Sequence, residues 1–170
     1  MYTFRWSTTI SLFPLGAMGA ALAVASGTAQ AAELPVPCIA GVCGSSATSF
    51  VTSGQATAVA SGNTLNVNQT TSSAVLNWQS FNVSADGVVN FKQPDVSSVA
   101  LNRIWQNDPS RIFGSLNANG RVYLINQNGI LFGATAKVNV GALVASSLDI
   151  TPEAIENGIA GAIFLTPMAC

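Results

Sequence analysis

Few side chains in this sequence are of the types that carry out chemistry. Histidine is absent, and charged residues make up 8% of the 170 residues, against about 25% in an ordinary soluble domain. Without histidine the chain lacks the commonest general base and metal ligand, and a Ser-His-Asp or Cys-His nucleophile is impossible. The aspartates stand in turn-like contexts, where Asp commonly bonds its own backbone: Asp86, Asp95, Asp108 and Asp149. The sequence therefore predicts a non-enzyme with no catalytic residues, no cofactor and no metal site.

Three cysteines are the remaining reactive side chains. Cys38 and Cys43 enclose four residues around Gly41, whereas Cys170, at the last position, has no obvious partner. A redox or metal pair would need further ligands, which this chain lacks. A structural disulfide between Cys38 and Cys43 is therefore favoured, and export from the cytoplasm would permit it to form.

The most regular motif is an Asn-x-Asn-Gly tetrad that occurs twice, at Asn117–Gly120 and Asn126–Gly129. Asn and Gly tolerate positive φ, so each tetrad is predicted to form a tight turn. Two interpretations of the second tetrad remain open. Its residues are either left-handed corner residues alone, or also a motif whose exposed Asn side chains a partner recognises. The predicted turn residues of the first tetrad are Asn117, Asn119 and Gly120.

The elements that would position these turns are short β-strands, predicted from residue 51 to residue 150. An Asn recurs between two apolar residues, as in Leu65-Asn66-Val67, and period two puts the apolar pair on one face and the Asn on the other. A sandwich or barrel would use the Asn-Gly pairs as hairpin turns, and a parallel β-helix would use them as corners, with Asn stacked above Asn. Runs such as Val122–Ile125 are apolar on both faces and favour covered strands, but local patterns leave both architectures open.

The flanking segments differ from this strand-rich region. Residues 1–31 resemble a signal peptide, because an apolar run ends in Ala29-Gln30-Ala31, a cleavage signature with Ala31 as its last residue. Residues 32–50, rich in Pro, Gly and Ser, are predicted to lead into the fold. Residues 151–170 are predicted to form a short helix and an apolar tail without a cap, so the C-terminal end reads as incomplete.

Six blocks of sequence, in the same order, resemble the N-terminal secretion domain of filamentous-haemagglutinin-type exoproteins. These exoproteins are the cargo of two-partner secretion systems in Gram-negative bacteria. The resemblance implies an all-β, right-handed parallel β-helix with an N-terminal β cap, and it covers most of the chain after residue 31. The blocks are Asn77–Val83, Val89–Pro94, Ala100–Ile104, Ser110–Gly120, Asn126–Gly133 and Val138–Ser147.

The resemblance also implies a route and a set of partners. The Sec machinery would carry the chain into the periplasm, and the POTRA domains of an outer-membrane β-barrel transporter would recognise it there. The barrel would then pass the chain, unfolded, to the cell surface, and a downstream region would contact the host cell. The family motif associated with secretion, Asn-Pro-Asn-Gly-Ile, corresponds to Asn126, Gln127, Asn128, Gly129 and Ile130, with Gln127 in place of proline.

Two hypotheses about function follow from different classes of protein. The first is the secretion domain of a larger adhesin-like exoprotein, which nucleates β-helix folding at the cell surface. The alternative is a surface β-solenoid that itself binds host glycans. A β-helical polysaccharide lyase would need Asp, Lys or Arg clustered on one face, and the few charges show no such cluster. The net charge of −1, with scattered Lys and Arg, predicts no nucleic-acid partner.

Overall fold

The computed structural model describes residues 32–43 and 47–149. The predicted signal peptide with its cleavage at Ala31, and the predicted helix and tail over 151–170, lie outside the described residues. In the part of the chain that is described, no helix has the length and apolar character needed to cross a membrane.

All regular structure in the described ranges is β-strand. The strands are β1 (Val36–Pro37), β2 (Val51–Ser53), β3 (Ala56–Ser61), β4 (Thr64–Gln69), β5 (Ser73–Ser80), β6 (Val88–Lys92), β7 (Val99–Ile104), β8 (Ser110–Ile112), β9 (Ser115–Ala118), β10 (Arg121–Asn126), β11 (Ile130–Phe132), β12 (Lys137–Asn139) and β13 (Ala142–Ser146).

The strands wind into a parallel β-helix of about four turns. The first sheet stacks β5, β7, β10 and β13 in parallel, and the second sheet stacks β4, β6, β9 and β12 in parallel. The third sheet pairs β8 with β11 and is extended by a parallel bridge between Val83 and Ile112. Each coil passes through the second, first and third sheets in that order. The predicted all-β parallel β-helix is confirmed, and a sandwich or barrel is not what the chain forms.

Antiparallel strands cover the N-terminal end of this β-helix. Strands β1 and β2 pair antiparallel with β5, and β3 pairs antiparallel with β4. The β3–β4 hairpin turns at Gly62, whose φ is +55°, a conformation that suits glycine in a two-residue hairpin loop. In this cap Cys38 and Cys43 form a disulfide, and the Cys38 N–H donates to the Asn77 carbonyl at 3.0 Å.

The core lies inside the coils and follows the predicted period of two. Leu65 and Val67 are buried while Asn66 between them is exposed. Trp78 is fully buried, and its ring meets those of Phe50 and Phe81 edge-on at centroid distances of 4.9 and 5.3 Å. Such edge-to-face pairs stabilise a core by about 1 kcal/mol beyond their buried area.

The coils differ in length, which explains why the sequence carries no exact repeat. Aligned positions on the second sheet, Thr64, Val88, Ser115 and Lys137, are separated by 24, 27 and 22 residues. The strands therefore stack in register, and the differences in coil length lie in the segments between the strands.

Candidate functional site

The second Asn tetrad is a β-turn at the corner between the first and third sheets. It follows β10, and the Gly129 N–H donates to the Asn126 carbonyl at 2.9 Å, closing the turn. The φ of Gly129 is +98°, which glycine adopts without the Cβ penalty that other residues meet. The Gly129 carbonyl accepts from the Ser110 N–H at 3.0 Å, so the turn leads directly into the pairing of β11 with β8.

Asn126 is buried inside this corner. Its Nδ2 donates to the Asp108 carbonyl at 3.1 Å and to Ser110 Oγ at 2.9 Å, and its Oδ1 accepts from the Asn128 N–H at 2.9 Å. The prediction of an exposed Asn side chain is wrong for Asn126, because the β10 pattern carries this residue inward, where the loop before β8 supplies its partners. Asn126 can shape the corner but cannot touch a partner protein.

Gln127 and Asn128 are the exposed side chains of the turn. Asn128 Nδ2 donates to the Gln106 carbonyl of the preceding coil at 2.9 Å, which fixes the position of this side chain on the surface. Gln127 takes the first central position of the turn, where proline is favoured but most residues are accepted. Ile130, the last residue of the predicted motif, begins β11 and packs against the core.

A groove of about 180 Å³ lies beside the exposed turn. Trp105 is 39% exposed at this groove, and its Nε1 donates to Asn77 Oδ1 at 3.2 Å. At the other side Arg103 and Asp149 form an ion pair at 3.2 Å. The groove thus contains a tryptophan and an arginine, two side-chain types that are enriched at protein interfaces, together with several amides and the carboxylate of Asp149. Its lining residues are Arg103, Ile104, Trp105, Gln106, Asn107, Ile125, Gln127, Asn128 and Asp149.

The first Asn tetrad has a different structure from the second. Asn117 and Ala118 belong to β9, so the prediction of a turn at Asn117 is wrong. Asn117 instead continues a ladder across the second sheet: its Nδ2 donates to Asn90 Oδ1 at 2.9 Å, and Asn90 Nδ2 donates to Asn66 Oδ1 at 3.1 Å. The stacking of Asn above Asn therefore occurs along strands rather than at the Asn-Gly corners.

Asn119 and Gly120 form a corner by contact with the preceding coil. Asn119 accepts from the Gln93 N–H and donates to the Gln93 carbonyl, both at 2.8 Å, and the Gly120 N–H donates to Gln93 Oε1 at 3.0 Å. Gly120 is not among the glycines with positive φ in the described chain. Glycine is required here for space, because a Cβ would lie 2.7 Å from both Gln93 Oε1 and the Ser98 carbonyl.

Sequence reasoning missed the buried polar residues that hold the corners and core together. Gln93 Nε2 donates to Gln69 Oε1 at 3.3 Å, forming a buried stack at one corner. Asn102 accepts from the Trp78 indole N–H at 2.8 Å within the core. The partners are 24 residues apart in both pairs. Predicting these pairs would require the number of residues in each coil, which the sequence does not reveal.

The described residues contain no group of three or more His, Cys, Asp or Glu side chains that could hold a metal ion. Asp95 forms the predicted kind of turn, in which its carboxylate accepts from the Ser97 hydroxyl at 2.6 Å and the Ser97 N–H at 2.8 Å. These two hydrogen bonds lower the pKa of Asp95 from its ordinary value, and the bond from the Ser97 hydroxyl has the larger effect. The Asp95 carboxylate therefore stabilises its own turn.

Known proteins are similar to this chain in sequence and in fold. Residues 45–165 match the family described as the TPS, or two-partner secretion, secretion domain. A heme/hemopexin-binding protein of Haemophilus influenzae strain Rd is 40% identical over 102 residues, which are 60% of this chain and 11% of that protein. A second heme/hemopexin-binding protein of Haemophilus influenzae is 37% identical over 86 residues, which are 51% of this chain and 9% of that protein. The chain thus spans about a tenth of the length of these relatives.

A solved structure supports the same assignment. The crystal structure of the HMW1 secretion domain from Haemophilus influenzae superposes with a TM-score of 0.59 and 37% sequence identity. The superposition covers 63% of this chain and 28% of that chain. Because the family match spans well over half of the sequence and the β-helix agrees with it, the chain belongs to the TPS secretion domain family, the secretion domains of two-partner exoproteins of Gram-negative bacteria.

Proposed function

We propose that this chain is the N-terminal secretion domain of a larger exoprotein and that a cognate outer-membrane transporter recognises it before export. The family match over residues 45–165 is the observation that supports this role. In this proposal the Sec machinery delivers the chain to the periplasm, where the POTRA domains of the transporter make the first contact. The transporter then passes the chain to the cell surface, and any contact with a host cell belongs to the rest of the exoprotein.

The transporter contacts the corner formed by Gln127, Asn128 and Gly129. Three features favour this surface over the rest of the coil. Gln127 and Asn128 are exposed, the buried Asn126 and the bond from Asn128 to the Gln106 carbonyl fix the turn, and Trp105 lies in the adjoining groove. A fixed turn loses little conformational freedom when it binds, which favours affinity.

In this proposal the secretion domain presents its folded corner to the transporter, and the rest of the exoprotein folds onto this domain at the cell surface. The antiparallel cap forms at the N-terminal end, and each further coil finds a surface of paired strands and buried apolar side chains already in place. Stacking of successive coils is how solenoids gain their stability. Because burial of apolar surface makes the return of a folded coil unfavourable, folding outside the cell draws the chain outward.

Export measured with variants of the corner tests the proposal. The double substitution Gln127→Ala and Asn128→Ala removes the exposed side chains, and we expect the amount of exoprotein in the medium to fall at least tenfold while periplasmic protein accumulates. Asn63→Ala is the matched control, since Asn63 is also an exposed turn residue whose side chain makes one hydrogen bond, to Asp86 Oδ2 at 2.8 Å. We expect this control to be exported normally. If the double variant is exported as efficiently as the wild type, the transporter does not recognise this corner.

A further inference from the structure

Asn-Gly dipeptides occur three times in the sequence, at Asn119-Gly120, Asn128-Gly129 and Asn157-Gly158. The first two end the Asn tetrads, and the third lies outside the described residues. The side-chain amide of an asparagine can react with the backbone nitrogen of the next residue. Glycine favours this reaction, because it has no Cβ and adopts a wide range of backbone angles. The two described dipeptides therefore carry the same chemistry in different surroundings.

The reaction is a deamidation that needs only water. The glycine N–H loses its proton to hydroxide, and its nitrogen attacks Cγ of the asparagine. A new C–N bond forms and the Cγ–Nδ2 bond breaks. The leaving nitrogen takes up a proton from water and departs as ammonia, and a five-membered succinimide ring remains. Water then adds to either carbonyl carbon of the ring and breaks its bond to the ring nitrogen, so that the product is aspartate or isoaspartate.

The fold holds Asn119-Gly120 against this reaction. The Asn119 amide bonds the N–H and the carbonyl of Gln93, both at 2.8 Å. The Gly120 N–H, whose nitrogen would attack, donates to Gln93 Oε1 at 3.0 Å, and both residues are buried. Rotation of this peptide would leave the buried Gln93 oxygen without a partner, which is costly. The Ser98 carbonyl, 2.7 Å from where a Cβ on Gly120 would lie, leaves no room for the rotation.

The restraints on Asn128-Gly129 are fewer. Asn128 is exposed, and within the described ranges its side chain makes a single hydrogen bond, from Nδ2 to the Gln106 carbonyl at 2.9 Å. The Gly129 N–H closes the turn on the Asn126 carbonyl at 2.9 Å, and this bond has to open before the nitrogen can attack. Gly129 is only partly buried, and no atom lies within 4 Å of where its Cβ would be. The freed N–H therefore meets water, and the peptide has room to rotate.

We propose that Asn128 is a site of spontaneous deamidation in the folded protein, whereas the fold protects Asn119. The inference does not rest on the proposed function, since the reaction needs only this chain and water. The product has no Nδ2 to donate to the Gln106 carbonyl, and its carboxylate adds a negative charge to the groove that already contains Asp149. In isoaspartate the former side-chain Cβ becomes part of the main chain and lengthens the turn by one atom. Conversion thus changes both the charge and the shape of the exposed corner.

Trypsin separates the two dipeptides and allows a direct comparison. Cleavage after Arg111, Arg121 and Lys137 places Asn119-Gly120 in peptide 112–121 and Asn128-Gly129 in peptide 122–137. The purified folded chain is incubated at physiological temperature and digested under mildly acidic conditions. Mass spectrometry then detects the gain of one dalton that accompanies the change from amide to acid. We expect Asn128 to convert at least tenfold faster than Asn119, and its rate to rise with pH because the attacking nitrogen must lose its proton.

Two controls identify the cause of the difference. In enough urea to unfold the chain, the two dipeptides should convert at similar rates, because both are Asn-Gly and the fold no longer distinguishes them. The variant Asn128→Gln keeps an amide at the surface but would have to close a six-membered ring, which forms far more slowly. Peptide 122–137 of this variant should gain no mass over the same time. A gain in this variant would place the reaction at Asn126 or Gln127 and contradict the inference.

The rates and the product decide the outcome. The inference is wrong if the folded chain converts Asn119 as fast as Asn128, or if Asn128 converts only in urea. A succinimide opens to isoaspartate as well as aspartate, so we expect isoaspartate at position 128, detected by enzymatic methylation with an isoaspartyl methyltransferase. Aspartate alone would indicate direct hydrolysis of the side chain and would overturn the attack by the Gly129 nitrogen.

Discussion

Two asparagines of the same motif have opposite roles at the level of single residues. Asn126 has its polar atoms bonded inside the corner, whereas Asn128 lies on the surface and bonds one carbonyl of the preceding coil. A secretion defect caused by Asn126 would therefore act through the shape of the turn, and one caused by Asn128 could act through direct contact.

Alanine substitutions should separate these roles by their effect on stability. Asn126→Ala leaves the buried Ser110 hydroxyl without its Asn126 partner and removes the bonds to the Asp108 carbonyl and the Asn128 N–H, which belong to exposed residues. A buried polar group left unpaired costs about 1–3 kcal/mol, and the loss of an ordinary hydrogen bond costs about 0.5–1.5 kcal/mol. We expect a loss of about 2–4 kcal/mol in the free energy of unfolding, measured by urea denaturation. Asn128→Ala should cost no more than about 1 kcal/mol, since its bond is exposed to water. Equal losses for the two variants would contradict the distinction.

At the level of elements, two corners use glycine for different physical reasons. Gly129 needs its positive φ and has open space around its Cα, whereas Gly120 needs the absence of a side chain next to Gln93 and Ser98. The same substitution at both positions tests this difference. Asn tolerates left-handed φ, so Gly129→Asn should cost less than about 1 kcal/mol. Gly120→Asn forces backbone of two coils apart and should cost about 3 kcal/mol or more. The readout is the midpoint of thermal unfolding, and a reversed order would refute the argument.

These corners also show which features of the fold the sequence could predict. The strand faces follow from alternation within a few residues, as in Leu65-Asn66-Val67, and the turn at Asn128-Gly129 follows from the backbone preferences of those two residues. Both signals are local. The pairing of Asn119 with Gln93, 26 residues away, depends on how many residues each coil contains. Because the coil lengths are unequal, no sequence period could reveal that Asn117 stacks on Asn90 in a strand.

At the level of the whole molecule, the disulfide lies at one end of a structure stabilised mainly by coil-to-coil contacts. Cys38 and Cys43 pack with Ala47 in a small cluster apart from the main core. Replacing both cysteines by serine removes a constraint that, for so short a loop, contributes about 2 kcal/mol in the chain-entropy account.

We expect that loss to be confined to the cap. Amide exchange in the double variant should become faster around β1 and at the Cys38 N–H, while the amides of β7 and β10 keep their wild-type protection. A uniform increase in exchange over all coils would mean instead that the cap and the coils unfold as one cooperative unit.

The unequal coil lengths have a consequence for the assembly of repetitive chains. When repeats are identical, a chain can slip by a whole repeat, or exchange repeats with a neighbouring molecule, and keep most of its contacts. Here the spacing of aligned positions runs through 24, 27 and 22 residues, so a slip by one coil would separate Asn119 from Gln93 and place the wrong side chains at every corner. Because the coil lengths are unequal, only one alignment of the coils pairs the correct residues, whereas an array of identical repeats would allow several alignments.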